Sequence, residues 1–222
     1  MARQLVDAPV VKGQRYDMTY EEWLERVPEN ILSEWVDGEV IVFMPPSELH
    51  QDLAGFLFVL VSWYARTLGL GKAIIAPFEM RLSNRLSREP DIVFVAREHI
   101  HRLDGKRLAG PADLAVEVVW PDSVTRDRRE KLAEYDEAGV REYWLVDTRP
   151  GHEDTRFFQR SAAGRFEPAA ADADGRYRSA VLPGFWFRPD WLWQEPLPDP
   201  VALLPIIAPE AWRAAFETTQ PD

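Results

Sequence analysis

Three side chains of this 222-residue chain have the types and settings for phosphodiester chemistry. Asp91 follows Pro90 and stands immediately before the apolar run Ile92-Val93-Phe94-Val95. Glu117 sits inside a second apolar run, Leu114 to Val119. Two such acids on neighbouring strands bring carboxylates side by side, and a hard divalent cation relieves their repulsion. Mg²⁺, or Mn²⁺ in its place, suits carboxylate and water ligands. Lys131 follows on a helical stretch in which Asp127, Lys131 and Tyr135 recur at steps of four and share a face. A lysine beside two metal-binding carboxylates can orient a water and stabilise charge on a phosphoryl oxygen.

Each residue also has a plainer role. Asp91 can simply start a strand. Glu117 can face solvent by strand alternation, whereas buried without a partner it is costly. Lys131 can be a solvated helix lysine, and Tyr135 a packed ring with a polar tip. Glu142 and Asp147 flank a buried strand and fit local pairing or capping. His50 is structural by base rate. His99 and His101 lie in a polar segment where they could touch substrate phosphate, and they lack tight metal spacing with His152.

The elements that must position these groups are legible along the chain. Residues 1–17 read as a flexible leader. Thr19 and Glu22 form a capping box, and Met18 can staple onto Trp23. Asp37-Gly38 between β-prone runs predicts a hairpin. A helix is expected over about 48–68, with strands at 73–76, 78–82, 92–96 and 114–119. A helix over about 125–138, stopped by Gly139, leads to a strand at 143–146. This strand–helix–strand unit predicts parallel pairing. Short strands are expected at 156–159, 165–167 and 177–182. From Pro183 prolines and tryptophans concentrate, giving an extended arm with a short helix near 210–217. The expected fold is α/β (α+β), a mixed central sheet flanked by helices, with an N-terminal helix and hairpin and a Pro/Trp-rich C-terminal arm. The main domain is placed at 18–187 and the extension at 188–222.

Composition narrows the function classes. Hydrophobic residues at 46% and charged residues at 28% are globular values. The absence of cysteine excludes disulfides, zinc–thiolate sites and a cysteine nucleophile, and fits a reducing cytoplasm. No run has signal-peptide or membrane-span character, so a cytoplasmic location without membrane attachment is expected. The net charge of −11 argues against coating nucleic acid by bulk attraction, leaving room for a local basic rim. No nucleophile elbow, phosphate loop or dinucleotide fingerprint occurs.

The pattern P-D … E-V … D-x-x-x-K-x-x-x-Y … G-V-x-E-Y-W-x-V-D resembles a restriction-endonuclease family of bacterial domains of unknown function, within the PD-(D/E)XK nuclease superfamily. It is carried by Pro90, Asp91, Glu117, Val118, Asp127, Lys131, Tyr135, Gly139, Val140, Glu142, Tyr143, Trp144, Val146 and Asp147. Upstream, residues 34–40 and 44–50 are similar to the family's entry segment, including Glu34 and His50. The resemblance implies a restriction-endonuclease-like fold and a metal-dependent endonuclease acting on DNA. Asp91 and Glu117 would be metal ligands. The superfamily lysine often follows the second acid by two residues, where this chain has Val119, so its role falls to Lys131. Glu34 and His50 would add groups at the metal edge, with Tyr135 as an auxiliary. Where the family has a Ser-Pro-Ser turn, this chain has Trp120-Pro121-Asp122-Ser123, and Trp120 would narrow the site. The alternative is a nuclease-fold module without catalysis that binds nucleic acid or protein. Homodimerisation through the Pro/Trp arm is compatible with both.

Overall fold

The computed structural model describes residues 10–119, 126–149, 151 and 153–217. In chain order it holds β1 (Arg15–Asp17), α1 (Tyr20–Arg26), β2 (Ser33–Val36), β3 (Glu39–Val42), α2 (Glu48–Thr67), β4 (Gly71–Ile75), β5 (Glu79–Arg81), β6 (Leu86–Arg88) and β7 (Ile92–Ala96). Then come β8 (Arg107–Ala109), β9 (Leu114–Val119), α3 (Lys131–Ala138), β10 (Glu142–Asp147), β11 (Asp154–Arg160), β12 (Phe166–Ala169), β13 (Tyr177–Arg178), β14 (Trp186–Phe187), α4 (Pro200–Ile207) and α5 (Pro209–Glu217).

The central sheet has the order β12-β11-β10-β9-β7-β4. It is mixed: β9 and β10 run parallel, as the crossover between them requires, and their neighbours are antiparallel. Every residue of β9 and β10 is buried, which is what a strand covered on both faces demands. On one face Ile92, Phe94, Val116 and Trp144 pack against Leu53, Leu57, Leu60 and Val61 of α2. Each such fully buried aliphatic or aromatic side chain contributes roughly 1.5–3 kcal/mol. On the other face Val93, Ala115, Val119 and Tyr143 meet Tyr135 of α3, Met80 of β5 and Leu108 of β8.

A second six-stranded sheet, β1-β3-β2-β6-β5-β8, goes beyond the single sheet expected from sequence. Its hairpin turns at Asp37 (φ 51°) and Gly38 (φ 90°), the left-handed pair that an Asp-Gly turn favours. Its outer face buries Trp35, Val40 and Val42 under Tyr20 and Trp23 of α1. The Thr19–Glu22 capping box is formed. Arg15–Asp17, within the stretch taken as a leader, is β1 and pairs with β3.

Two differences from the sequence expectation have physical causes. The strand expected over 177–182 stops at Arg178, because buried Glu142 captures the amides of Ala180 and Val181 at 2.7 and 3.1 Å. The Pro/Trp-rich segment is more helical than expected. Asp199 caps α4 with Pro200 in its first turn, where a missing N–H costs nothing. Trp191, Leu192, Leu203 and Leu204 join the α2 core cluster. No helix among the described residues is long and apolar enough to cross a membrane.

Candidate active site

Strand alternation decides where the acids point. On β9, Val116 and Val118 face α2, so Glu117 faces α3 with Ala115 and Val119. The antiparallel register of β7 and β9 pairs Ile92 with Val116, and one further step sets Asp91 across from Glu117. Asp91 Oδ2 accepts the Val118 amide at 2.7 Å, which fixes its carboxylate against the strand carrying Glu117. His50 Nε2, from the first turn of α2, lies 3.2 Å from the same oxygen. Asp91 and His50 line a cavity of about 190 Å³ between the 43–46 loop and Pro77.

Lys131 is buried at 3% exposure, which rules out the solvated helix lysine. Its ammonium lies 2.8 Å from Glu117 Oε1 and 2.8 Å from Glu34 Oε1. Tyr135, one turn along α3, donates its hydroxyl to Glu117 Oε1 at 2.7 Å. Burial, and then the neighbouring Glu117 and Glu34 carboxylates, hold the Tyr135 phenol well above its usual range, so it stays a donor. Tyr135 also packs edge-on against Tyr143. α3 begins after a π-helical turn at Arg126–Glu130 and ends at Gly139, whose φ of 95° favours glycine.

Two members of the cluster gave no sequence signal. Fully buried Arg88 donates to Glu34 Oε2 at 2.7 Å and to both oxygens of Glu134 at 2.8 and 2.7 Å. Burial works against its cation, but Glu34 and Glu134 outweigh that and hold its pKa above the ordinary value. The short run Leu86-Ser87-Arg88 carries no apolar pattern, so neither the strand nor the arginine stood out. Glu89 takes the Ser33 amide at 3.0 Å. Burial, opposed by that bond and reinforced by Glu34 and Glu79, pushes it up to about 8.

Thus Glu34, Glu117, Lys131 and Tyr135 meet in one buried cluster at which α3 ties the two sheets together, while Asp91 and His50 form a pair joined to β9 through the Val118 amide. Among the described residues, three carboxylates (Glu34, Glu117, Glu134) meet two cations (Arg88, Lys131), a formal surplus of negative charge. Carboxylates such as Asp91 and Glu117 are the donor type that a hard divalent cation takes. Trp120 to Thr125 and the side chain of Asp127 lie outside the described residues, as does His152.

The other acids and histidines stand elsewhere. His99 contacts Asp113 at 3.0 Å, at the far end of β7 and β9, so neither it nor its neighbour His101 borders Asp91. Glu98, His99 and Asp113 are the one group of three ligand-type residues within 4.8 Å of one another among the described residues. Arg141 already supplies a cation there, 3.0 Å from Asp113. Glu142 accepts from Trp144, Tyr177, Ser179, Ala180 and Val181, and Asp147 is held by Arg128 and Arg149.

A mixed sheet flanked by helices is the architecture of a restriction-endonuclease-like fold. A family model described as "Putative restriction endonuclease", Uma2, matches residues 18–192, and the chain belongs to that family. A solved structure titled a "putative nuclease belonging to DUF820" from Anabaena variabilis ATCC 29413 is similar, at 17% identity and a TM-score of 0.64. The similarity covers 79% of this chain and 97% of that one. No curated protein matches.

Proposed function

We propose that this chain is a Mg²⁺-dependent endonuclease, active also with Mn²⁺, that hydrolyses phosphodiester bonds in DNA. The observation that supports it most is that Lys131 reaches Glu117 at 2.8 Å while the amide of Val118, the next residue of the same strand, holds Asp91 at 2.7 Å. Asp91 and Glu117 would hold the ion. Bound there, Mg²⁺ would polarise the phosphoryl oxygen and lower the pKa of water.

The chain's own groups do the rest. Val118 and His50 orient Asp91, while Tyr135 fixes one Glu117 oxygen. Lys131 supplies positive charge that moves little, because Glu34 and the packing of α3 hold its stem and head. Such preorganised charge stabilises a developing oxyanion without reorganisation at the moment of reaction. Glu34 is then a positioning residue for Lys131. The basic rim that the net charge left open is local: Arg128, Arg149 and exposed Arg129 stand near the C-terminal ends of β9 and β10, the end that carries Glu117.

The competing reading is a nuclease-fold binding module without catalysis. It is favoured by the Lys131 ammonium, which already neutralises Glu117. Plasmid nicking with Mg²⁺ or Mn²⁺ separates the two. The endonuclease nicks supercoiled DNA, and Asp91→Ala and Lys131→Ala each lower the rate by about a hundredfold or more. Undiminished nicking in both variants rejects the mechanism, and no nicking by wild type favours the module.

A further inference from the structure

A second cavity, of about 310 Å³, opens beside the candidate active site, between α1, the start of β5 and the loop entering β8. It shares Ile31 and Pro77 with the cavity that holds Asp91, so the two are neighbours across one ridge. Nothing in the hydrolytic reading uses it. Its walls are apolar and partly planar: Trp23, Val27, Ile31 and Phe78. Its polar lining is Glu29, Ser33, Glu79, Glu89, Lys106 and Arg107. Arg107 lies 3.7 Å from Glu79. Glu79 is committed to Tyr20 and Ser87 at 2.8 and 2.7 Å. Glu89 spends Oε2 on the Ser33 amide at 3.0 Å. Lys106 is exposed and pairs with Glu29 at 2.9 Å.

We propose that this cavity binds one nucleotide of the substrate strand, its base turned out of the stack. The volume lies at the lower end of the range for small-molecule sites, about 300–1,000 Å³, which suits a single base. Flat apolar walls accept a planar heterocycle of any identity. Glu89 Oε1 meets the polar edge of the ring, and Lys106 and Arg107 take the phosphate. Ser33 and Glu89 line the cavity; Glu34 follows Ser33 directly and Asp91 follows Glu89 by two residues. The bound base therefore belongs to a nucleotide next to the bond that is cut. This rests on the nuclease reading, and it predicts preference for single-stranded, mismatched or distorted sites, where turning a base out costs least.

Calorimetric titration in EDTA, with the intact chain, tests the cavity without catalysis. The probes are the four deoxynucleoside 5′-monophosphates and ribose 5-phosphate, which lacks a base. At least one nucleotide should bind one-to-one and about tenfold or more tighter than ribose 5-phosphate, the increment that stacking supplies. Phe78→Ala should remove about that factor. Lys106→Glu, an exposed change that leaves the core untouched, should weaken every nucleotide. Asp91→Ala should bind nucleotides as wild type does. Equal affinity for ribose 5-phosphate and nucleotides, or indifference to both Phe78→Ala and Lys106→Glu, overturns the proposal. Nicking of DNA without nucleotide binding removes the cavity's role and leaves the nuclease. Binding as expected without nicking upholds the nucleotide site and removes the nuclease.

Discussion

The ammonium of Lys131 and Oε1 of Glu117 are 2.8 Å apart, both almost wholly shielded from solvent. A second contact of 2.8 Å, to Glu34, makes this lysine the link between the two sheets. Its removal takes a cation from two buried carboxylates, leaving Glu34 with Arg88 and Glu117 with the Tyr135 hydroxyl. Lys131→Ala should therefore cost about 3–5 kcal/mol of stability as well as activity. Urea unfolding measures the first, and a cost under about 1 kcal/mol, the level of an exposed pair, would mean the pair is solvated after all.

Arg88 and Glu34 form the second shielded pair, at 2.7 Å. A double-mutant cycle with Arg88→Met and Glu34→Gln should return a coupling of about 0.5–3 kcal/mol. Additive single effects would show that Arg88 serves Glu134 alone.

Glu142 organises the chain after β12. It accepts five hydrogen bonds, from Trp144, Tyr177, Ser179, Ala180 and Val181. Burial raises its pKa, and those donors oppose the rise. Glu142→Ala leaves five donors unanswered and should destabilise by about 3 kcal/mol or more, at ~1–3 kcal/mol per stranded group. Amide exchange at Ala180 and Val181 should accelerate selectively. Uniform exchange across the chain would refute a local clamp.

Asp147 gives a pH dependence with a definite sign. Burial raises its pKa, but hydrogen bonds from Arg149 and the charges of Arg128 and Arg149 outweigh it, so the net shift is downward. A depressed folded pKa contributes stability above the unfolded value, about 3.9, that is lost as pH falls through the folded value. The stability gap between wild type and Asp147→Asn should be widest at neutral pH and close in acid. A gap that widens in acid contradicts the ion-pair assignment.

How far the sequence could be read depends on which force set each feature. β7 and β9 were legible to the residue, since Ile92–Ala96 and Leu114–Val119 are apolar runs bounded by polar residues. The parallel pairing of β9 and β10 followed from the helix between them. The site residues Asp91, Glu117 and Lys131 stood out because charge within or beside apolar pattern is costly and asks for a reason. Arg88 and Glu134 did not. Their burial comes from contact between a three-residue strand and a helix far away in sequence, with no local periodicity to betray it. The second sheet was missed for the same reason: β1, β6 and β8 have three residues each and acquire strand character only from their partners.

The central claim is that Asp91 and Glu117 hold one divalent ion between two strands. Anomalous scattering from a crystal soaked in Mn²⁺ tests it directly. One ion should appear about 2 Å from a carboxylate oxygen of each residue, and should vanish in Glu117→Gln. An ion bound only at Glu98, His99 and Asp113, or a peak unchanged in Glu117→Gln, would contradict the account.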